Sequence, residues 1–285
     1  MAGRLENSWN LVKASGNVLA QDKELILFPL LSFIAAMVIS ISFFGPMLLL
    51  GNVEALAEGG GFTGTALMFL YYMVLYTVMF FFNAALVGAA LLRLEGEDPT
   101  LADGFQIATS RIRTILGYAV IAATVGMVLK MISERAGIFG SLAAGLVGLG
   151  WNLATFMVVP VLITRDVDPV SAIRESAGLF KQTWGEQVAG NVGMGWAFGL
   201  LSFGVVIVSV LLMIVLGNIA PLLVLPVVVA MGFTLLILAL VASALKGVYS
   251  AALYKYAVSG QVPSGFDARL FEQAFTEKKK RSWVW

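Results

Sequence analysis

Five carboxylates, Asp98, Asp103, Asp166, Asp168 and Glu175, are the residues of this chain whose types and spacing could do chemistry. Two or three gathered in one place could hold a divalent cation, and such an ion polarises phosphoryl oxygens. Loss of a phospholipid-cleaving activity on Asp168→Ala would be the mark of that arrangement. A second account covers the same residues. Thr100 and Asp103 have the spacing of a helix-capping hydroxyl and an acid three residues on, as do Ser264 and Asp267. Pro99, Pro169 and Pro263 each hold the preceding residue extended before such a start. Capping and helix-surface roles account for all five carboxylates, so no catalytic residue, metal or cofactor is expected. The chain has no His and no Cys. That removes the commonest general base, the commonest metal ligand and any thiol nucleophile.

The elements that carry these residues are set by apolar runs. Hydrophobic residues make up 59% of the 285 and charged residues 12%, and the mean hydropathy is +0.91. Residues 25–53, 59–92, 136–164 and 187–245 contain no Asp, Glu, Lys or Arg. A membrane span needs about 20 apolar residues, so the last run must fold back on itself. Gly217-Asn218-Ile219-Ala220-Pro221 is the break, because Gly ends a helix cheaply and Pro cannot continue its interior. Six helices follow, near 25–50, 64–92, 114–133, 138–164, 187–216 and 220–250. Backbone groups in lipid must be satisfied within the segment, and the runs lack the alternation of barrel strands. The polar, amphipathic residues 1–24 do not read as a cleaved signal peptide.

Charge gives orientation. Arg4, Lys13 and Lys23 precede the first span. Arg93, Arg111 and Arg113 lie between spans two and three, and Arg165, Arg174 and Lys181 between spans four and five. Lys246, Lys255, Arg269, Lys278, Lys279, Lys280 and Arg281 end the chain. Sixteen of the eighteen positive residues thus fall on one side, against Lys130 and Arg135 on the other. Positive loops stay in the cytoplasm. Both termini are expected there, in a prokaryotic inner membrane.

The three returns on the basic side look alike. Gly96-Glu97-Asp98-Pro99-Thr100, Asp166-Val167-Asp168-Pro169 and Gly260-Gln261-Val262-Pro263-Ser264 each precede an amphipathic stretch. Val170, Ile173, Ala177, Phe180 and Trp184 recur at helical spacing, as do Phe105, Ala108, Ile112 and Ile115. Phe266, Leu270, Phe271, Ala274 and Phe275 do so after the third return, and Leu5, Trp9, Val12 and Leu19 before the first span. Such segments lie in the membrane interface, apolar face down, unless they are loops folded back on the spans. The fold class is all-α and polytopic: three transmembrane hairpins, joined and flanked by cytoplasmic interfacial helices. An N-terminal interfacial helix takes 1–24. The six-helix domain takes 25–258, with interfacial helices near 99–113 and 169–185. An amphipathic, basic and aromatic tail takes 259–285.

Ser8-Trp9-Asn10-Leu11-Val12-Lys13-Ala14-Ser15, followed by Gln21 to Pro29, resembles a family of prokaryotic six-helix membrane proteins with no assigned activity. Ala252-Leu253-Tyr254-Lys255-Tyr256-Ala257, with Gly260 and Val262-Pro263, is similar to that family's ending. The resemblance implies the fold and carries no function. The layout is also distantly similar to the membrane domain attached to some glycerophosphodiester phosphodiesterases, whose hydrolase domain has no counterpart here.

Few polar groups sit within the spans. Lys130 is one turn before Glu134 and reads as a residue reaching the interface beside a helix-surface partner. Asn83, Asn152 and Asn191 either hydrogen-bond neighbouring helices or line a solute path. Span four is rich in Gly, and Gly195-x-x-x-Gly199 in span five has the spacing of a close helix contact, within the chain or between subunits. Lys278, Lys279, Lys280 and Arg281 with Trp283 and Trp285 would anchor the tail to anionic lipid or dock a protein. One short cluster beside a membrane does not indicate nucleic acid.

The residues expected to touch lipid or partner are therefore Trp9, Phe180, Trp184, the Gly195/Gly199 face and the tail. The expected function is non-enzymatic: an oligomeric or partner-bound protein that scaffolds or organises the membrane. The alternative is a uniporter or channel for a neutral solute or lipid. Proton coupling is disfavoured, because no span core holds Asp or Glu.

Overall fold

The computed structural model describes residues 2–49, 61–135, 137–184 and 188–266. All regular structure among them is helical. The helices are α1 (Ala2–Gln21), α2 (Leu27–Leu49), α3 (Gly61–Glu95), α4 (Leu101–Ser110), α5 (Ile112–Arg135), α6 (Gly137–Ala154), α7 (Val158–Thr164), α8 (Pro169–Trp184), α9 (Val188–Ile219) and α10 (Val224–Ser259). Single 3-10 turns, Lys23–Ile26 and Pro221–Leu223, lead into α2 and α10. Six stretches are long and apolar enough to cross a membrane. By length and composition the chain is a membrane protein. The chain reverses between α9 and α10 at the Gly217–Pro221 break, with Pro221 opening the turn.

α3 is the hub and packs against α2, α4, α5, α7 and α10. Its sequence explains this. Ala84-Ala85-Leu86-Val87-Gly88-Ala89-Ala90 offers small side chains on every face, and every one of these residues is buried. Small residues let helix backbones approach where no hydrophobic force drives them together. A Cβ built on Gly247 of α10 would lie 2.4 Å from Leu86 Cδ2, and one on Gly104 of α4 would lie 2.5 Å from Phe28 Cζ and 2.8 Å from the Ala85 carbonyl oxygen. These glycines set the closest helix contacts of the described chain.

The span expected over 138–164 is broken. α6 stops at Ala154, Thr155 to Met157 form a turn, and α7 starts at Val158. Pro160 has no N–H to offer the carbonyl four residues back and crowds it. Within the turn the Met157 amide donates to Ser176 Oγ of α8 at 3.0 Å and not to a carbonyl of its own helix, and Ser176 is fully buried.

Nearly all burial lies at one end of the bundle. It takes in the second half of α1, the start of α2, the ends of α3 and α10, the start of α5 and Val158 to Ile163 of α7. The opposite ends expose apolar side chains, with Phe139 at 86% and Leu222 at 91%. In water such a surface would be a liability, whereas lipid covers it without cost.

α1, α4 and α8 correspond to the stretches expected at the interface. α4 turns its apolar face to protein: Phe105 packs edge-on to Phe28 and Phe82 and stacks on Phe81, and Ala108 is fully buried. α1 buries Val12, Ala14, Ser15, Val18 and Leu19 and packs against α9 and α10. On α8 the covered face is Ala172 and Ser176, with Ile173 and Leu179 packed alongside, while Val170 of the expected stripe is about half exposed. The helix expected after Ser264, including Asp267, lies outside the described residues.

Candidate functional site

The packed end of the bundle is also its charged end. α3 finishes at Glu95, and Gly96 takes the left-handed conformation that turns the chain (φ 92°). Arg93 reaches forward from the last turn, and its Nη1 donates to Asp98 Oδ1 at 3.0 Å and to the Glu97 carbonyl at 3.3 Å. The α3 carbonyl at Leu94 accepts from Lys255 Nζ at 2.9 Å and from the Ser264 amide at 3.1 Å. A cation there suits the negative end of the helix dipole. Lys255 also lies 3.7 Å from Glu95. Arg111, at the joint of α4 and α5, meets Asp166 after α7 at 2.8 Å, and Arg165 meets Glu175 of α8 at 2.8 Å. Thr164 and Tyr254 share a 2.6 Å hydroxyl bond beside them. The ends of α3, α7 and α10 and the start of α5 are thus cross-linked by ion pairs and hydrogen bonds.

The five carboxylates are engaged singly. Asp103 accepts from the Thr100 amide at 2.8 Å, while its own amide meets Thr100 Oγ1 at 3.4 Å, which completes a capping box. These bonds hold its carboxyl below the usual carboxylate range. Asp168 caps α8 through the Val170 and Ser171 amides at 2.9 and 3.1 Å, and the Ser171 hydroxyl bond is the main cause that holds its carboxyl down. Asp98, Asp166 and Glu175 each pair with a different arginine. No group of three possible metal ligands occurs among the described residues.

The intramembrane candidates stay apart. Asn83 on α3 and Asn152 on α6 are both exposed, and neither carboxamide makes a hydrogen bond among the described residues. Lys130 Nζ lies 3.8 Å from Glu134 Oε1, both side chains at least half exposed, at the far end of α5. Gly195 and Gly199 face open space, with no heavy atom within 4 Å of a Cβ built on either. A contact for these two glycines within the described chain is therefore absent. Trp9, Phe180, Trp184 and Asn191 lie on α1, α8, α8 and α9, with side chains outside what the structure describes. Lys278, Lys279, Lys280, Arg281, Trp283 and Trp285 lie outside the described residues.

A family of unknown function (DUF6159) matches this arrangement over residues 62–266. The chain belongs to that family. The DUF6159 stretch runs from the start of α3 to the turn after α10 and holds Arg93, Arg111, Arg165 and Lys255 together with their partners. No curated protein and no solved structure matches the chain.

Sequence reasoning missed Ser176, Gly104, Gly247 and Asp22. Asp22 is 7% exposed, and its Oδ2 is buried without a hydrogen-bond partner. Burial pushes its carboxyl up, the Arg93 charge pulls it down, and Glu24 and Asp98 push it up again. Its signal in the sequence was one of two acids, with Glu24, standing before an apolar run, which reads equally well as a surface residue.

Proposed function

We propose that this is a non-enzymatic membrane protein that organises or scaffolds an assembly, with a second copy or another membrane protein seated on α9. The observation that carries this is the open Gly195-x-x-x-Gly199 face. A face that lets a helix approach closely is useful only to a partner, and the chain supplies none among its described residues. Asn83 and Asn152 add support: a carboxamide turned outward at membrane depth costs free energy until something hydrogen-bonds it. The same outward aim argues against a polar lining inside the bundle. No catalytic residue or cofactor belongs to this reading.

The native mass in polymer nanodiscs, extracted with the surrounding lipid, tests it. A discrete multiple of 30.4 kDa, or a stoichiometric second protein, is expected. Gly195→Leu with Gly199→Leu should return the mass to that of one chain without unfolding it. A wild-type monomer with no retained partner would end the proposal.

The charged end faces the cytoplasm in this reading, with both termini on that side of a prokaryotic inner membrane, three hairpins in the bilayer, and α1, α8 and the basic tail on its anionic surface. The likeness to the membrane domain of glycerophosphodiester phosphodiesterases rests on this layout, and no hydrolase activity is drawn from it. Because the chain has no Cys, single cysteines report cleanly. An impermeant maleimide added to intact cells should label Glu134→Cys, and label Gln261→Cys only after lysis. The reverse pattern would invert the orientation.

A further inference from the structure

A cleft of about 210 Å³ opens at the charged end, lined by Val18, Gln21, Arg93, Gly96, Ser264 and Gly265. At about 30 Å³ per water it holds a small polar group and not a drug-sized molecule. Its walls carry donors with nothing to bind. Both Arg93 bonds use Nη1, leaving Nε and Nη2 without a partner among the described residues. The Gln21 carboxamide and the Ser264 hydroxyl likewise make no hydrogen bond there. A guanidinium with spare donors beside an amide and a hydroxyl is an anion site, and it suits a phosphate. Next to Gln21 stands Asp22, with its orphaned buried carboxylate oxygen. An acceptor of that kind lacks a donor, ideally a cationic one. Arg93 lies at the end of α3's membrane-crossing stretch, Gly64–Glu95. That is the depth of lipid headgroups, where one molecule presents phosphate and ammonium together.

We propose that this cleft binds the phosphoethanolamine headgroup of a membrane phospholipid: Arg93, Gln21 and Ser264 hold the phosphate and Asp22 receives the ammonium. The inference needs the chain to sit in a membrane but is independent of any partner on α9. The headgroup gives the buried Asp22 Oδ2 a donor and fills the spare guanidinium donors.

Native mass spectrometry of the whole chain in mild detergent tests it, with phosphatidylethanolamine and phosphatidylglycerol of equal acyl chains as probes. Wild type should retain phosphatidylethanolamine about tenfold more tightly, the effect of one charge-assisted contact. Arg93→Gln should weaken both lipids about tenfold for the same reason. Asp22→Asn should abolish the preference and leave Arg93-dependent retention. It should also make the fold more stable at neutral pH. A carboxyl whose folded pKa is raised costs stability once it ionises, so removing its charge relieves that cost. A purely structural Asp22 would lose stability on this change. Ser264→Leu fills the cleft without touching a charge and should match Arg93→Gln in retention, which keeps the test alive if the arginine variant fails to fold. Equal retention of the two lipids by wild type, or unchanged retention in Arg93→Gln and Ser264→Leu, would overturn the proposal. Displacement by soluble O-phosphoethanolamine at concentrations matching the lipid would overturn the lipid as its source. Each readout is lipid retained per chain, so it stands or falls separately from the oligomeric mass.

Discussion

Gly104→Val is expected to destabilise the bundle by about 3 kcal/mol, the upper end of the usual overpacking cost. The contact it enters has no slack. A Cβ at position 104 meets the Phe28 ring on one side and the Ala85 carbonyl oxygen on the other. A ring edge can move, but a carbonyl inside the buried stretch of α3 cannot shift without taking its helix along. Gly247 is the instructive comparison. Its nearest atoms are the ends of the Leu86 side chain, which has other rotamers, so Gly247→Ala should cost less than Gly104→Ala despite the shorter contact. Gly199→Val, in open space, should change the stability of a single chain by no more than about 0.5 kcal/mol. Unfolding in mixed micelles by added denaturing detergent ranks the variants. Equal destabilisation at 104 and 199 would refute the packing described for α4.

Ser176→Val should cost about 1–3 kcal/mol, because it leaves the Met157 amide unpaired in the interior. Valine also adds a carbon at this fully buried position, so Ser176→Ala, which removes only the oxygen, separates the lost hydrogen bond from overpacking. Ser176→Thr retains the hydroxyl and should recover much of the stability. Amide hydrogen exchange gives an independent reading: Met157 should exchange faster in the valine variant, while amides in the middle of α3 keep their protection. If Met157 exchange is unchanged, Pro160 alone holds the break between α6 and α7 open and Ser176 is a bystander.

These two residues also mark where the sequence stops being legible. Six spans, the Gly217–Pro221 reversal, the Thr100–Asp103 cap and the Lys130–Glu134 pair all follow from local pattern, and the structure has each of them. Local pattern suffices for them because each is decided within a few residues. The break before Pro160 depends on α8 coming close enough to offer an oxygen, a tertiary fact invisible in residues 138–164. The glycines illustrate the same limit from the other side. Gly195-x-x-x-Gly199 has the expected spacing and meets nothing among the described residues, whereas Gly104 and Gly247 lack it and make the closest contacts. A small residue matters through what lies opposite, and one sequence does not reveal that.

On α8 hydrophobic spacing picks out Val170, Ile173 and Ala177; in the structure Ala172 and Ser176 are buried, Ile173 and Leu179 pack beside them, and Val170 is about half exposed. In a membrane protein the helix face turned to its neighbours is the small and polar one, since lipid accepts large apolar side chains as readily as a protein core does. At the charged end the carboxylates were placed correctly near helix starts and returns. Their division among three separate arginines needed the folded chain, because Arg111 and Asp166 are 55 residues apart.

The one-ended packing has a mechanical consequence. α10 has 36 residues and, at about 1.5 Å per residue, is some 54 Å long, well beyond a hydrocarbon layer of about 30 Å. Its second half is buried from Ala244 to Tyr254, while the half around Phe233 is exposed. When the bilayer thins or thickens, the clamped end keeps its geometry and the loose end absorbs the mismatch by tilting. The bundle is stiff in one leaflet and compliant in the other, a difference in rigidity across the membrane that would let one end hold a fixed surface while the other follows the lipid.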